Sequence, residues 1–390
     1  MVQLLLAVIY VSFVSLGLPD ALLGSAWPMI YPELSVPVSY AGIISAIISV
    51  GTITSSLFCN RLTYKLGTGK LTALCVALTA LALFGFSLSR SFWMLCLCAI
   101  PYGLGAGSVD ASLNNYVALH YASRHVSWLH CMWGVGASVG PYIMGSALTN
   151  GMSWNAGYRY IALLQVVLTA ILLFSLPMWR KNEEQSGKKE EKPLPLSAIM
   201  RIPGAKEVFV VFFCFCGLEQ TIGLWASSYL VLWRGVDVTR AATFASLFFT
   251  GITIGRALSG FLTIRLKDLQ VIRLGLAVMT TGLLLFFLPV GEFCALLALI
   301  LVGLGYAPLY PCTVHVTPLL FGEARSQAIV GIQTACGYAG VCLMPPLFGL
   351  IANHVSIGLF PVCIALQLGI MALMHFRLVR KTARSHNVML

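Results

Sequence analysis

Three carboxyl side chains lie inside long apolar stretches of this 390-residue chain: Asp20, Asp110 and Glu219. A charged side chain at the centre of a bilayer costs about 3 kcal/mol or more, so a carboxyl group is retained there where it faces a cavity or a partner. Desolvation also disfavours the ionised form of a carboxyl group, which makes the group a reversible proton carrier. The three residues are therefore candidates for proton coupling, and a structural hydrogen-bonding role is the alternative.

Helical spacing places further polar and aromatic side chains beside these acids. Asp20 and Trp27 share one face of a helix, and Asp110 and Asn114 share a face at a spacing of four. His130 ionises near neutral pH and can bind a substrate or relay a proton, and Trp rings can stack on the apolar face of a sugar. A structural role is the alternative for the His and Trp residues. The predicted substrate-binding residues are Asp110, Asn114, His130, Trp27, Glu219, Gln220, Trp225 and Tyr310.

The elements that must position these residues are membrane-spanning helices. The chain is 58% hydrophobic and 9% charged, whereas an ordinary soluble domain carries about 25% charge, so a water-soluble globule is excluded. An apolar run of about 20 residues crosses a bilayer, and the long uninterrupted runs argue against a transmembrane barrel. The sequence predicts an all-α polytopic membrane protein with twelve spans. They lie near residues 2–31, 38–60, 70–89, 93–119, 127–149, 157–179, 207–232, 241–264, 272–290, 293–320, 326–352 and 356–377.

A single long charged interval divides the spans into six and six. The predicted organisation is an N-terminal half at 1–180, a central loop at 181–206 and a C-terminal half at 207–390. The halves also repeat at an offset of 200, as in Gly103-Leu104-Gly105 and Gly303-Leu304-Gly305. Two related six-helix halves predict a substrate cavity between them near the middle of the membrane.

The positive charges lie mostly on one side of this topology. With both termini on the same side as the central loop, 19 of the 24 Lys and Arg residues fall on that side. The positive-inside rule then places both termini and the central loop in the cytoplasm. We expect a multi-pass protein of the cell (inner or plasma) membrane. Because the net charge of +11 follows membrane topology, it does not indicate a nucleic-acid partner.

Motifs of soluble enzymes are not fulfilled. Residues 67–70, Gly-Thr-Gly-Lys, resemble part of a phosphate-binding loop, but Leu71 follows the Lys where a magnesium-binding hydroxyl is needed. Most of the 12 cysteines lie in apolar runs without the His or Cys partners of a zinc site, so we expect them to behave as small hydrophobes. The sequence predicts no cofactor, no metal and no enzymatic activity.

Several residues are candidates for helix packing and gating rather than for chemistry. They are Lys65, Gly67, Gly136, Gly140, Pro141 and Arg256. The glycines of residues 134–141, among them Gly136 and Gly140 before Pro141, allow close helix packing and bending. Arg256 lies within span eight, where it either pairs with an acid of another helix or extends to the interface. His315 in span ten is a second intramembrane histidine that can bind or relay a proton.

The sequence resembles the major facilitator superfamily and, within it, the fucose permease-like group of sugar:proton symporters. The resemblance covers nearly the whole chain. The motifs that carry it are Asp20-Ala21-Leu22-Leu23, the residues 61–67 that include Lys65 and Gly67, Gly103-Leu104-Gly105 with Asp110 and Asn114, Gly217-Leu218-Glu219 with Trp225 and Tyr229, Gly255-Arg256, and Ala307-Pro308-Leu309-Tyr310-Pro311.

The resemblance implies alternating access by rocking of the two halves. Asp20 matches a first-span Asp associated with proton coupling, and Asp110 matches a fourth-span Glu associated with sugar binding and protonation. Asn114 matches the Asn of the same motif. The family's Glu is Asp in this chain, and a fifth-span Gln is replaced by His130, so the sugar site differs from that of a fucose carrier.

The sequence thus predicts a secondary active transporter that moves a monosaccharide or similar small polar solute with protons. The expected partners are that solute, protons and the lipid bilayer, and the protein is expected to be a monomer. Three alternatives stay open: a proton-coupled exporter of drugs or metabolites, a sodium-coupled sugar carrier, and a non-transporting sensor built on a transporter fold.

Overall fold

The computed structural model describes residues 2–121, 123–179, 199–288 and 291–386. These ranges form helices that are joined by short turns, with a π-helical turn and a 3-10 turn at 352–359. The helices are α1 (Val2–Gly17), α2 (Leu22–Glu33), α3 (Tyr40–Leu66), α4 (Thr68–Leu88), α5 (Phe92–His120), α6 (Ser123–Thr149), α7 (Trp154–Trp179), α8 (Ala205–Leu232), α9 (Val238–Leu262), α10 (Asp268–Phe287), α11 (Gly291–Tyr306), α12 (Leu309–Phe321), α13 (Glu323–Ile351) and α14 (Phe360–His386).

These helices account for the twelve predicted spans, because α1 with α2 and α11 with α12 each make one span. Within the described ranges, nine helical stretches are long and apolar enough to cross a membrane, and one of them, Ile332–Thr382, contains parts of both α13 and α14. The helix α3 adds a shorter apolar stretch, Tyr40–Ser56. The 27-residue α6 completes the set by its length. The all-α polytopic fold is confirmed.

Two spans are broken near their middle. The first breaks between Gly17 and Leu22, where the Asp20 N–H donates to the Gly17 carbonyl at 3.1 Å and Pro19 has no N–H to continue the helix. The tenth breaks just before Leu309, at Pro308. Other prolines of the first span lie inside a helix, such as Pro28 in α2.

The offset of 200 residues recurs in the packing of the two halves. A Cβ atom on Gly103 of α5 would lie 2.3 Å from the Ile48 carbonyl oxygen of α3. A Cβ atom on Gly303 of α11 would lie 2.0 Å from the Phe248 carbonyl oxygen of α9. Both contacts join positions that correspond at the same offset, so the halves are pseudo-symmetric in their backbone contacts as well as in sequence.

The two halves meet mainly along three helix pairs, which are α6 with α9, α3 with α13 and α2 with α8, and α2 also contacts α9. The closest approaches involve glycines, since a Cβ atom on Gly24 would lie 2.0 Å from the Gly223 carbonyl oxygen and one on Gly42 would lie 2.7 Å from the Pro346 Cα. Helix α8 begins at Ala205, so the end of the predicted central loop is helical. The rest of that loop, residues 180–198, and the side chains of Arg61 and Tyr64 lie outside the described residues.

Candidate functional site

A cavity of about 300 Å³ lies between the two halves. All three carboxyl groups that the sequence singled out line it, although they lie on different helices and far apart in the chain. The lining residues of the N-terminal half are Leu16, Pro19, Asp20, Leu23, Ser45, Ile48, Ser49, Thr52, Tyr102, Ala106, Asp110, His130 and Trp133. Those of the C-terminal half are Phe212, Phe215, Cys216, Glu219, Gln220, Leu224, Arg256, Tyr310, Thr334, Gly337, Tyr338 and Val341.

Asp20 lies in the break of the first span, where the interrupted helix points its carboxyl group into the cavity. Tyr102 of α5 donates its hydroxyl to Oδ1 at 3.1 Å, and the indole Nε1 of Trp133 in α6 donates to Oδ2 at 2.7 Å. Each carboxyl oxygen therefore has one donor, and the two donors come from two helices of the same half. Asp20 is thereby fixed in place.

Asp110 is held by its own helix and by the opposite half. The Asn114 amide donates to Asp110 Oδ1 at 2.9 Å, across one turn of α5. Tyr338 of α13, in the opposite half, also interacts electrostatically with the Asp110 carboxyl group. Asn114 itself does not line the cavity, so the structure places it as a support for Asp110 rather than as a wall residue.

Glu219 of α8 has one bonded and one open carboxyl oxygen. The hydroxyl of Tyr306, at the end of α11, donates to Oε2. The other oxygen, Oε1, is buried and has no hydrogen-bond partner among the described residues. An unpaired buried acceptor costs about 1–3 kcal/mol, which a donor group of a ligand in the cavity would offset.

Arg256 of α9 points into the cavity, and it forms no ion pair with an acid of the described ranges. Its Nη1 donates to the backbone carbonyl of His130 at 2.7 Å, and its guanidinium lies 5.2 Å from the centre of the Trp133 ring. Both contacts cross from the C-terminal to the N-terminal half. The His130 ring lines the cavity and packs against Phe13 and Tyr310, with ring centres 6.0 and 5.9 Å apart.

Aromatic rings form one wall of the cavity on the C-terminal half. Phe212, Phe215 and Tyr310 line it, and the Phe215 ring is stacked on Tyr306, which does not line the cavity, with centres 3.9 Å apart and planes within 11°. Tyr310 packs beside Phe212 at 5.4 Å. Of the substrate-binding residues that the sequence predicts on this half, Tyr310, Glu219 and Gln220 line the cavity.

Trp27 and Trp225 do not line the cavity, which corrects their prediction as ligand contacts. Both rings are fully buried, and their N–H groups donate to the carbonyls of Val38 and Pro345. The shared face of Asp20 and Trp27 assumed a continuous helix, and the break before α2 reorients the chain between them.

His315 is also not part of the cavity. Its side chain is 80% exposed and pairs with Asp268 at 2.8 Å, at the N-terminus of α10. The expectation that His315 relays a proton within the membrane is therefore wrong. The reason is local, since His315 lies only six residues from the end of α12.

The residues predicted for packing and gating occupy distinct positions. Lys65 is exposed near the end of α3, and Gly67 ends that helix with a φ of 78°. A Cβ atom on Gly136 or Gly140 would lie 1.9 Å from a carbonyl oxygen of the first span, so α6 packs there backbone to backbone. Pro141 lies within α6, one residue after this contact.

The sequence reasoning left out three tyrosines that contact the acids of the cavity: Tyr102, Tyr306 and Tyr338. For Tyr102 a signal was present, because it precedes Asp110 by eight residues and so shares its face of α5. For the others the partner lies on a distant helix, and a single sequence carries no sign of it. Within the described ranges, no group of three His, Cys, Asp or Glu residues is arranged to hold a metal ion.

A helical bundle of two pseudo-symmetric halves around a central polar cavity is the architecture of a membrane transporter, and here it spans the membrane many times. The chain belongs to the Major Facilitator Superfamily, which it matches over residues 9–345 and 234–388. It is therefore a transporter for a small-molecule substrate and not an enzyme.

Proteins that are similar to this chain are named as transporters of different solutes. A glucose/mannose transporter of Bacillus subtilis is 20% identical over 93% of this chain and 92% of its own. A cis,cis-muconate transport protein of Acinetobacter baylyi is 22% identical over 84% of this chain and 82% of its own. A mutant of the nucleoside transporter NupG has the same fold, with a TM-score of 0.75 at 14% identity over 96% of this chain and 98% of that one.

Proposed function

We propose that the protein is a proton-coupled symporter of a monosaccharide or similar small polar solute, working by alternating access. The observation that carries the proposal is the convergence of Asp20, Asp110 and Glu219 on one cavity between the halves. The relatives named for glucose/mannose and for muconate both handle small polar solutes, which supports this size and polarity class.

The carboxyl groups supply the proton-binding part of this function. An intramembrane carboxyl group is costly in its ionised form, so it takes up a proton when the cavity is dry and releases it when water enters. Asp20 and Asp110 have no ion-pair partner among the described residues. We assign proton coupling to these two residues and to Glu219.

The cavity walls supply the solute-binding part. Its N-terminal wall carries hydroxyl and carboxyl groups, including Ser45, Ser49 and Asp110, while its C-terminal wall carries the aromatic rings of Phe212, Phe215 and Tyr310. A sugar has hydroxyl groups on its rim and apolar C–H groups on its ring faces, so it complements both walls. A cavity of about 300 Å³ is at the lower end of ligand pockets, which favours a monosaccharide over a longer saccharide.

The orientation and the cycle follow from charge and packing. The excess of Lys and Arg supports cytoplasmic termini in a cell membrane, which puts the close contacts of Gly24 with Gly223 and of Gly42 with Pro346 at the outer end. The structure then corresponds to a state that is closed to the outside. In the proposed cycle, the outward-facing carboxyl groups bind protons, the solute binds, the halves rock, and deprotonation inside releases the solute.

Substrate-evoked proton movement in proteoliposomes with an internal pH dye tests this proposal. Monosaccharides, polyols and hydrophobic drugs are added in turn to the wild type, to Asp110→Asn and to the control Asp237→Asn, an exposed carboxyl before α9. We expect internal acidification with a sugar in the wild type and the control, and none in Asp110→Asn.

Two other outcomes would replace the proposal. Alkalinisation of proton-loaded vesicles by drugs, with no response to any sugar, would make the protein an exporter. Sugar uptake that stops when sodium is replaced by potassium, without acidification, would make it a sodium-coupled carrier.

A further inference from the structure

Arg256 is a cation inside the cavity that the proposed sugar and proton chemistry does not use. It lies on α9 within a membrane span and lines the cavity together with the three carboxyl groups. An isolated charge at this depth is expensive, so an intramembrane Arg is expected to have a counter-charge.

Among the described residues, no carboxylate provides that counter-charge at contact distance. The ion pairs within the described ranges join Arg240 with Glu292, His315 with Asp268, and Lys381 with Glu207. Glu219 interacts with Arg256 electrostatically, but no N–O distance between them is 4.0 Å or less. No carboxylate of the described ranges therefore pairs with the Arg256 guanidinium.

The guanidinium is nevertheless held in a fixed orientation. Nη1 donates to the His130 carbonyl at 2.7 Å, and one face of the guanidinium rests on the Trp133 ring at 5.2 Å. A guanidinium has five N–H donors in a rigid plane, and the remaining ones have no acceptor among the described residues. An edge with two parallel donors matches the two oxygens of a carboxylate.

The carboxyl groups of the cavity are compatible with an anionic ligand once they carry protons. Protonation removes the repulsion that ionised Asp20 and Asp110 would exert on a second anion, and the protonated groups can still bond to hydroxyl groups. Proton binding and anion binding would then favour each other, as symport requires.

We propose that the transported solute carries a carboxylate in addition to its hydroxyl groups, as in a hexuronate or an aldonate, and that Arg256 binds this carboxylate. The inference rests on the proposed function and narrows its substrate class from a monosaccharide to an acidic monosaccharide. Asp110 and the open oxygen of Glu219 bind the hydroxyl groups, and the aromatic wall packs against the ring.

Counterflow in proteoliposomes tests this inference with matched pairs of solutes: glucose against glucuronate, and galactose against galacturonate. Counterflow measures recognition and passage without a proton gradient, so its outcome is independent of proton coupling. The wild type is compared with Arg256→Gln, with Arg256→Lys, and with the control Arg240→Gln, an exposed Arg on the same helix whose pair with Glu292 is worth little.

We expect the wild type and Arg240→Gln to exchange the acids at least tenfold faster than the neutral sugars at equal subsaturating concentration. A hydrogen bond to a charged group contributes about 1.5–3 kcal/mol, so Arg256→Gln should weaken the apparent affinity for the acids about tenfold to a hundredfold. Arg256→Lys keeps the charge but loses the planar pair of donors. Its apparent affinity for the acids should therefore lie between those of the wild type and Arg256→Gln.

Exchange of neutral sugars without exchange of the acids would overturn the inference and leave the proposed function standing. An equal loss for glucose and glucuronate in Arg256→Gln would overturn it as well. If Arg256→Gln does not fold, the preference of the wild type for acidic over neutral sugars, and its reduction in Arg256→Lys, still test the inference. Exchange of the acids without acidification in the dye experiment would support the carboxylate site and reject proton coupling, whereas exchange of neither class would reject both.

Discussion

The contact between Gly24 of α2 and Gly223 of α8 gives a quantitative prediction about the balance of states. A Cβ atom on Gly24 would lie 2.0 Å from the Gly223 carbonyl oxygen and 2.8 Å from the Leu224 Cα, whereas an ordinary contact needs at least 3.4 Å. The obstructing atoms belong to backbone, so no side chain can move aside. In Gly24→Ala the two helices must separate by more than 1 Å at this point.

The cost of that separation falls on the closed state alone. Overpacking of this kind costs about 1–3 kcal/mol. In a state in which the outer ends of the halves are apart, the added methyl group meets no neighbour from the other half. The equilibrium should therefore shift towards the outward-open state by about 5- to 150-fold.

Labelling of Cys216 measures this shift, because its thiol lines the cavity. A membrane-impermeant maleimide is added from the outside, and modification of the peptide that contains Cys216 is followed by mass spectrometry. Gly24→Ala should label at least fivefold faster than the wild type. The control is Gly369→Ala, the same exchange within α14 at a site where a Cβ atom has no neighbour within 4 Å.

A labelling rate of Cys216 that is the same in Gly24→Ala, Gly369→Ala and the wild type, with all three folded, would falsify the assignment of this contact to outer closure. Faster labelling in Gly369→Ala as well would attribute the effect to helix propensity, since Ala is the better helix former in both places.

Further predictions concern single side chains. Asp20→Asn should abolish gradient-driven accumulation and spare exchange, as measured by uptake and counterflow; loss of binding with intact coupling would contradict its role. Tyr338→Phe removes a hydroxyl group that interacts with Asp110 across the halves and should weaken substrate binding about fivefold, measured by the concentration dependence of counterflow, while an unchanged affinity would speak against a role of this contact. Asp237 caps α9, and the hydrogen bond from the Thr239 hydroxyl lowers the pKa of its carboxyl group. Asp237→Ala should therefore lower the melting temperature at neutral pH, and the difference should vanish as the pH falls below about 4, because a carboxyl group with a lowered pKa loses its contribution when it becomes protonated.

Much of the fold could be predicted because a bilayer imposes its length on the sequence. The predicted bounds of the fourth span, 93–119, differ by one residue at each end from α5 (Phe92–His120). The last span differs most, since α14 continues to His386 while hydropathy indicates an end near 377. The extension is explained by Lys381, which pairs with Glu207 of α8 and so gives a polar helical turn a tertiary contact.

The candidate site was predictable where its residues are rare in apolar sequence. Carboxyl groups within spans are few, and Asp20, Asp110 and Glu219 all reach the cavity. Apart from Tyr102, their aromatic partners were not predictable, because Tyr and Trp are common in spans and the bonds join residues far apart in the chain, such as Tyr306 with Glu219. The prediction for Trp27 was wrong because one helical break changed which residues share a face.

The glycine contacts between helices also bear on how the chain tolerates variation. At Gly136 and Gly140 of α6, as at Gly24, an added methyl group meets a carbonyl oxygen at about 2 Å. None of these positions carries a functional group, yet the smallest possible enlargement displaces a whole helix. A random mutagenesis screen for lost transport should therefore return these glycines alongside Asp20 and Asp110. In such a screen, inactivity of a variant alone does not distinguish a residue that binds the solute from one that keeps two helices together.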